Sequence, residues 1–298
     1  MTSLPDARSV MDLVRLPAVL SVPGDCLLGH ASAGAPGNAA RTAGLAGSSC
    51  LLYLGGMALN DYADRDVDAV ERPQRPIPSG RVQPGFALRL AQALTAAGVI
   101  TAGLAGGRRS LAVAVPLAAT IWAYDLALKN TPAGPVAMAG CRALDVLLGA
   151  SPAAISSALA PAAVVGGHTF AVTVVSRHEA AGGSRAVGRG AVCAATVVTV
   201  AAGAFAVRRL RGTPRARALA PGAAALLAVY ASSFGRASVE ATRDPSATRL
   251  QRVVGAGVLG LIPLEAAMLA GTGRPATAGG VATLWPLARQ LSRRRSVT

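Results

Sequence analysis

Five of the chain's 14 acidic residues fall within one short run, Asn60-Asp61-Tyr62-Ala63-Asp64-Arg65-Asp66-Val67-Asp68-Ala69-Val70-Glu71. The run closes an apolar block. Its continuation as a helix would put Asp61, Asp64 and Asp68 at i, i+3 and i+7, with their carboxylates on one face pointing into a common cavity. Carboxylates crowded in this way repel unless a cation relieves them. Mg2+ suits the task, because it takes oxygen ligands, keeps several waters, and is held by one or two carboxylates together with substrate phosphate oxygens. Asp61, Asp64 and Asp68 are therefore the predicted metal ligands, and a diphosphate is the predicted partner that completes the shell. The next residues, Arg72-Pro73-Gln74-Arg75-Pro76-Ile77-Pro78-Ser79-Gly80-Arg81, carry guanidinium forks on a proline-stiffened turn suited to gripping phosphate oxygens. The plainer reading of the same charges is a solvated acidic joint balanced by local arginines.

The pattern N-D-x-x-D-x-x-x-D followed by R-P-I-P-S-G resembles the first aspartate motif of the UbiA superfamily of intramembrane prenyltransferases. That resemblance implies a nine-helix all-α membrane bundle, with this motif after helix two and a second motif after helix six. It implies Mg2+-dependent transfer of an isoprenoid chain from an allylic polyprenyl diphosphate to an aromatic or lipid-like acceptor. Asn60, Arg72 and Arg75 would bind the diphosphate. In Trp122-Ala123-Tyr124-Asp125-Leu126-Ala127-Leu128-Lys129-Asn130, Lys129 would do the same, as the chain's only lysine.

The chain departs from the family at the second motif. Where several aspartates are usual, it has Ser176-Arg177-His178-Glu179-Ala180-Ala181-Gly182-Gly183, with Glu179 as the one carboxylate. Either a single metal remains, with Arg177 or His178 taking part of the phosphate's charge, or catalysis has been abandoned. His178 beside Glu179 could also serve as a base toward an acceptor hydroxyl. Glu179 joins Asp61, Asp64 and Asp68 as a candidate catalytic residue, and Arg177 joins the diphosphate group.

These side chains must be positioned by elements made for lipid. Of 298 residues 52% are hydrophobic and 14% are charged, with mean hydropathy +0.46, whereas a soluble chain averages about 25% charged. The apolar residues fall into blocks of roughly 17 to 22 residues, long enough to cross about 30 Å of hydrocarbon as helices. Nine spans are predicted, at about 13–33, 41–60, 86–105, 110–127, 133–151, 154–175, 188–207, 217–235 and 251–270. Residues 276–288 are too short to cross. With the following arginines they read as an interfacial basic tail over 274–298 of a single domain, 1–298.

The net charge of +15 sits mainly in the joints, which points to membrane headgroups and not to nucleic acid. Lys and Arg divide almost evenly between the two faces, so the positive-inside rule hardly orients the chain. The first block lacks the basic start and small-residue exit of a signal peptide and reads as a retained span in a cell-membrane protein. Cys26, Cys50, Cys141 and Cys193 lie singly, without zinc or redox spacing. His30 and His168 have no ligand-spaced partners. Asp25, Asp125 and Asp145 lie within predicted spans, where acids face polar cavities.

An allylic cation must be shielded from water, which an apolar helix cavity would do. Trp122 and Tyr124 are the aromatic residues nearest the expected site. The competing class is a non-catalytic isoprenoid-binding or carrier protein on the same scaffold. A CDP-alcohol phosphotransferase would need a D-G-x-x-A-R run that is absent, and a transporter would leave the acidic motif unexplained.

Overall fold

A computed structural model describes residues 5–34, 38–211 and 218–292. It is an all-helical bundle of eleven described α-helices: α1 Ala7–Leu13, α2 Pro23–Ser32, α3 Ala39–Glu71, α4 Pro84–Ala123, α5 Gly134–Ala150, α6 Leu159–Ser176, α7 Arg185–Leu210, α8 Ala220–Tyr230, α9 Arg236–Arg243, α10 Ala247–Gly271 and α11 Pro275–Ser292. Apolar, small-residue sequences form these helices, and side chains on Asp6 and Asn38 cap α1 and α3 by accepting from Ser9 N and Arg41 N.

Five of the described segments are long and apolar enough to cross a membrane: Ala39–Glu71, Pro84–Leu128, Ile155–Ser176, Arg185–Leu210 and Ala247–Gly271. Hydropathy predicts nine spans, four more than meet that length and composition, and the shortfall has identifiable reasons. The first expected span is broken into α1, a 3-10 segment at Leu16–Ser21 and the ten-residue α2. The α5 helix has 17 residues and carries Arg142 and Asp145, and α8 gives way to a π turn at Ala231–Gly235 before α9.

Gly107 deals with two of the expected spans at once. Its backbone, at φ 70 and ψ −156, lies where side chains with a Cβ rarely go, and there α4 folds back on itself. The arms, 84–106 and 108–123, run antiparallel, and Trp122 Nε1 donates to Thr95 Oγ1 across them at 3.2 Å. Both arms pack on α3: Gly98 meets Leu52, and Gly56 meets Ile121.

Small residues let other pairs approach backbone to backbone. On α2 and α5 the arrangement is reciprocal, with Gly29 against the Val146 carbonyl and Gly149 against the Cys26 carbonyl. A Cβ at Gly149 has nowhere to go. Gly149→Ala is expected to lower stability by about 1–3 kcal/mol, read as an earlier thermal midpoint in detergent. Gly167, with open space around it, should tolerate alanine without loss.

Within the segment expected as an interfacial tail, Pro275–Ser292 is helical. Its helix α11 packs along α10, burying Ala278, Val281 and Ala288, and Arg289 lies over the Trp285 ring at 4.8 Å. Arg293, Arg294 and Arg295 lie outside the described residues, as do Arg215 and Arg217.

Candidate active site

The joints after α3, the π turn, α6 and α9 meet at one end of the bundle. Arg177 Nη1 donates to the Thr131 carbonyl at 2.6 Å, Gly183 N donates to the Pro245 carbonyl at 3.0 Å, and Arg72 reaches both Asp68 and Glu179 at 3.8 Å. Arg72 thus ties the first acidic run to the only carboxylate of the second joint. Beneath this end lie two contiguous cavities of about 400 Å³ and 210 Å³. They share Arg15, Tyr53, Met57, Asn60, Tyr124, Met138 and Arg142.

The acidic run divides in two. Asp61 and Asp68 are buried, at 3% and 1% exposure, and neither lines a cavity. Arg75 Nη1 lies 2.6 Å from Asp68 and 3.5 Å from Asp61, and Arg15 Nη2 lies 3.0 Å from Asp61. The repulsion expected between these two carboxylates is relieved here by arginine. Asp64 instead lines the larger cavity and forms an ion pair with Lys129. Helix geometry accounts for the division: at roughly 100° per residue, Asp68 comes back to within about 20° of Asp61, while Asp64 stands about 60° away.

Lys129 reaches Asp64 because of an irregular turn. Residues Tyr124–Leu128 form a π turn, closed by Lys129 N donating to the Tyr124 carbonyl at 2.9 Å. In an α-helix positions five apart point in different directions, whereas i→i+5 bonding brings them together. Tyr124 and Lys129 accordingly both line the larger cavity.

Glu179 lines that cavity too, and its Oε2 is buried without a hydrogen-bond partner. Burial pushes the Glu179 carboxyl above its ordinary range, against the pull of Arg72, Arg15 and Arg75. Arg72, Arg75 and Arg177 complete the rim. His178 is directed elsewhere: its Nδ1 donates to the Val174 carbonyl at 3.1 Å, and it lines neither cavity. Among the described residues no three His, Cys, Asp or Glu side chains converge to hold a metal by themselves. Asp64 and Glu179 do face one cavity, and that donor set fits an oxygen-seeking cation whose remaining ligands are phosphate oxygens and water.

Below the rim the walls turn apolar. Val172, Val254, Val258 and Leu261 line the larger cavity, and Leu52, Leu117, Ile121, Met138 and Cys141 line the smaller. His168 is buried, with Nδ1 2.9 Å from the Tyr230 hydroxyl and Nε2 donating to the Gly257 carbonyl at 3.0 Å. His30 pairs with Thr42 Oγ1 at 3.1 Å. Both hold helices together, and His168 also lines the larger cavity.

Two residues escaped the sequence reading. Arg15, near the start of the first apolar block, holds Asn60 Oδ1 at 3.2 Å as well as Asp61. Its backbone has φ 47, an unusual left-handed conformation for a side chain of this size. Glu265 is fully buried on α10, within a cluster of Arg142, Asp25 and Asp145. A carboxylate in the middle of an apolar block was the available signal for it.

Comparison with known proteins bears on the family and the fold. The sequence profile of the UbiA prenyltransferase family matches residues 24–244. The chain is 42% identical over 113 residues to a digeranylgeranylglyceryl phosphate synthase of Methanothrix thermoacetophila, covering 37% of this chain and 42% of that one. To the protein of the same name from Halobacterium salinarum it is 35% identical over 188 residues, covering 61% and 66%. The alignments thus span less than half of the first relative and just under two thirds of the second. A solved structure described as "Structural and mechanistic insights into the biosynthesis of Digeranylgeranylglyceryl phosphate synthase in membranes" superposes with a TM-score of 0.64 at 15% identity, over 89% of this chain and 98% of that one. With a profile match over most of its length and the same fold, this multi-pass membrane protein belongs to the UbiA prenyltransferase family.

Proposed function

We propose that the chain is a Mg2+-dependent prenyltransferase that moves a polyprenyl group from an allylic diphosphate to a lipid-like acceptor bearing a glyceryl phosphate. One observation carries this reading: Asp64, Lys129, Arg72, Arg75, Arg177 and Glu179, from three separate stretches of chain, ring the polar end of a chamber whose depth is apolar. Six basic side chains line the larger cavity; Arg142 is taken by its buried acids and Arg15 and Arg75 are paired with Asp61 and Asp68, which leaves Arg72, Lys129 and Arg177 at the rim to meet an anionic headgroup. The acceptor class follows the name borne by the relatives. The same reading takes nine membrane crossings, counting the two arms of α4 separately and adding the α1–α2 segment, α5 and the α8–α9 rod.

Lys129 and the arginines would hold the donor's phosphate oxygens and stabilise the charge that gathers there as the allylic carbon–oxygen bond breaks. Asp61 and Asp68 keep Arg75 and Arg15 extended toward the chamber. Asp64 and Glu179 would hold Mg2+, which when bound supplies further positive charge to the leaving diphosphate. The apolar walls hold the isoprenoid chain and exclude water from the reacting carbon. The degenerate second joint is compatible with this work, because Arg72 ties Glu179 to the first motif. Glu179→Gln is expected to lower kcat by about 10²-fold, with folding unchanged.

The direct test is diphosphate release from geranyl, farnesyl and geranylgeranyl diphosphate by purified protein, with and without Mg2+ and a glyceryl phosphate acceptor. Release that requires both Mg2+ and acceptor supports the enzyme. Saturable donor binding with no release under any condition would instead make the chain a carrier.

A further inference from the structure

An alcohol acceptor must lose a proton as its oxygen bonds to the prenyl carbon, and the rim residues are committed to the anion. We infer that Asp125 is the proton acceptor for the incoming hydroxyl, a proposal that rests on the transferase reading above.

Its position singles it out. Asp125 sits in the π turn, is 5% exposed and lines the smaller cavity. Its Oδ1 accepts from Asn60 Nδ2 at 3.1 Å, and the other end of the same amide is held by Arg15. Asn60 lies one helical turn, roughly 6 Å, below Asp64 on α3. That level is where the carbon next to a diphosphate on the rim must lie.

The other candidates lie at other levels. Asp145 also lines the smaller cavity, but it accepts from Ser49 Oγ at 2.6 Å, and Ser49 lies roughly 22 Å along α3 from Asp64. Glu179 is tied to Arg72 at the rim, and His178 faces the Val174 carbonyl outside both cavities. Tyr124 is a phenol, a group with little basic form at neutral pH. Among the described residues Asp125 is the carboxylate at the level of the reacting carbon.

Asp125 and Lys129, four residues apart, share one side of the turn and reach the chamber from adjacent levels. The step balances without another reagent. The hydroxyl oxygen forms a bond to the allylic carbon, the bond from that carbon to the diphosphate oxygen breaks with its electron pair leaving on the diphosphate, and the hydroxyl proton passes to an Asp125 carboxylate oxygen. The bond from Asn60 fixes the carboxylate where it lines the smaller cavity.

The test uses purified full-length protein in nanodiscs, geranylgeranyl diphosphate, a glyceryl phosphate carrying one geranylgeranyl ether, and a fluorinated analogue whose hydroxyl ionises more readily. Asp125→Asn should bind the donor as the parent does. It should transfer to the ordinary acceptor about 10²-fold or more slowly in kcat, while the deficit shrinks to below about tenfold with the fluorinated acceptor. Asp125→Glu should recover part of the loss. Unchanged kcat in Asp125→Asn, or an equal loss with both acceptors, would overturn the assignment; the latter would reduce Asp125 to a residue that positions Asn60. A parent protein that transfers to neither acceptor would remove the transferase reading itself, and this proposal with it.

Discussion

Asp64→Asn is expected to lower Mg2+-dependent diphosphate release by about 10³-fold or more while the protein stays folded in the membrane. Losing a single preorganised electrostatic group at a transition state costs about 10²–10³. Here the substitution also frees Lys129, which would lose its anionic partner. The stability cost is small by comparison, because the Asp64 side chain is 23% exposed and partly exposed ion pairs contribute about 1 kcal/mol or less. The internal control is Asp66→Asn, two positions on. Its side chain is 83% exposed and pairs with Arg65 at 3.4 Å, so turnover should stay within about twofold of the parent. Equal loss in both variants would point to the acidic run acting through its overall charge and would remove the metal assignment from Asp64.

That prediction separates what spacing reveals from what packing decides. The sequence put three carboxylates on one side of α3, and α3 does continue through them as helix. Which of them faces the chamber depended on neighbours from other parts of the chain. Arg75 comes back over Asp61 and Asp68 from the turn after α3, and Arg15 reaches Asp61 and Asn60 from 45 residues upstream. No local pattern marks such partners. The helix phase does carry a hint, because seven residues nearly complete two turns and three do not.

The second joint was legible only as a deficit of aspartates. Its repair by Arg72, across more than a hundred residues of sequence, is a tertiary contact. Hydropathy located the apolar blocks within a few residues, and the reversal between the arms of α4 was anticipated as a break near 106–109. The glycine that makes the reversal was indistinguishable from the glycines that let helices pack. Composition likewise hid the interruption of the first block, where a 3-10 segment stands between α1 and α2.

The second large effect concerns stability. Arg142 is the one basic side chain in a buried cluster that holds three acids: its Nε lies 2.9 Å from Asp25, its Nη2 lies 3.6 Å from Glu265 and donates to the Ser21 carbonyl at 2.8 Å, and Asp145 stands one turn along the same helix. The cluster ties α2, α5 and α10 together in the buried interior of the bundle. Arg142→Leu removes the guanidinium and leaves Asp25 and Glu265 without their counter-charge, a change expected to cost about 3–5 kcal/mol. The double variant Arg142→Leu with Glu265→Gln should recover part of that loss, because it removes one of the stranded charges. Thermal unfolding in detergent, followed by tryptophan fluorescence, measures both. If the single variant unfolds at the parent's temperature, the cluster is held by its protons and not by Arg142, and the acids would then share hydrogen bonds among themselves.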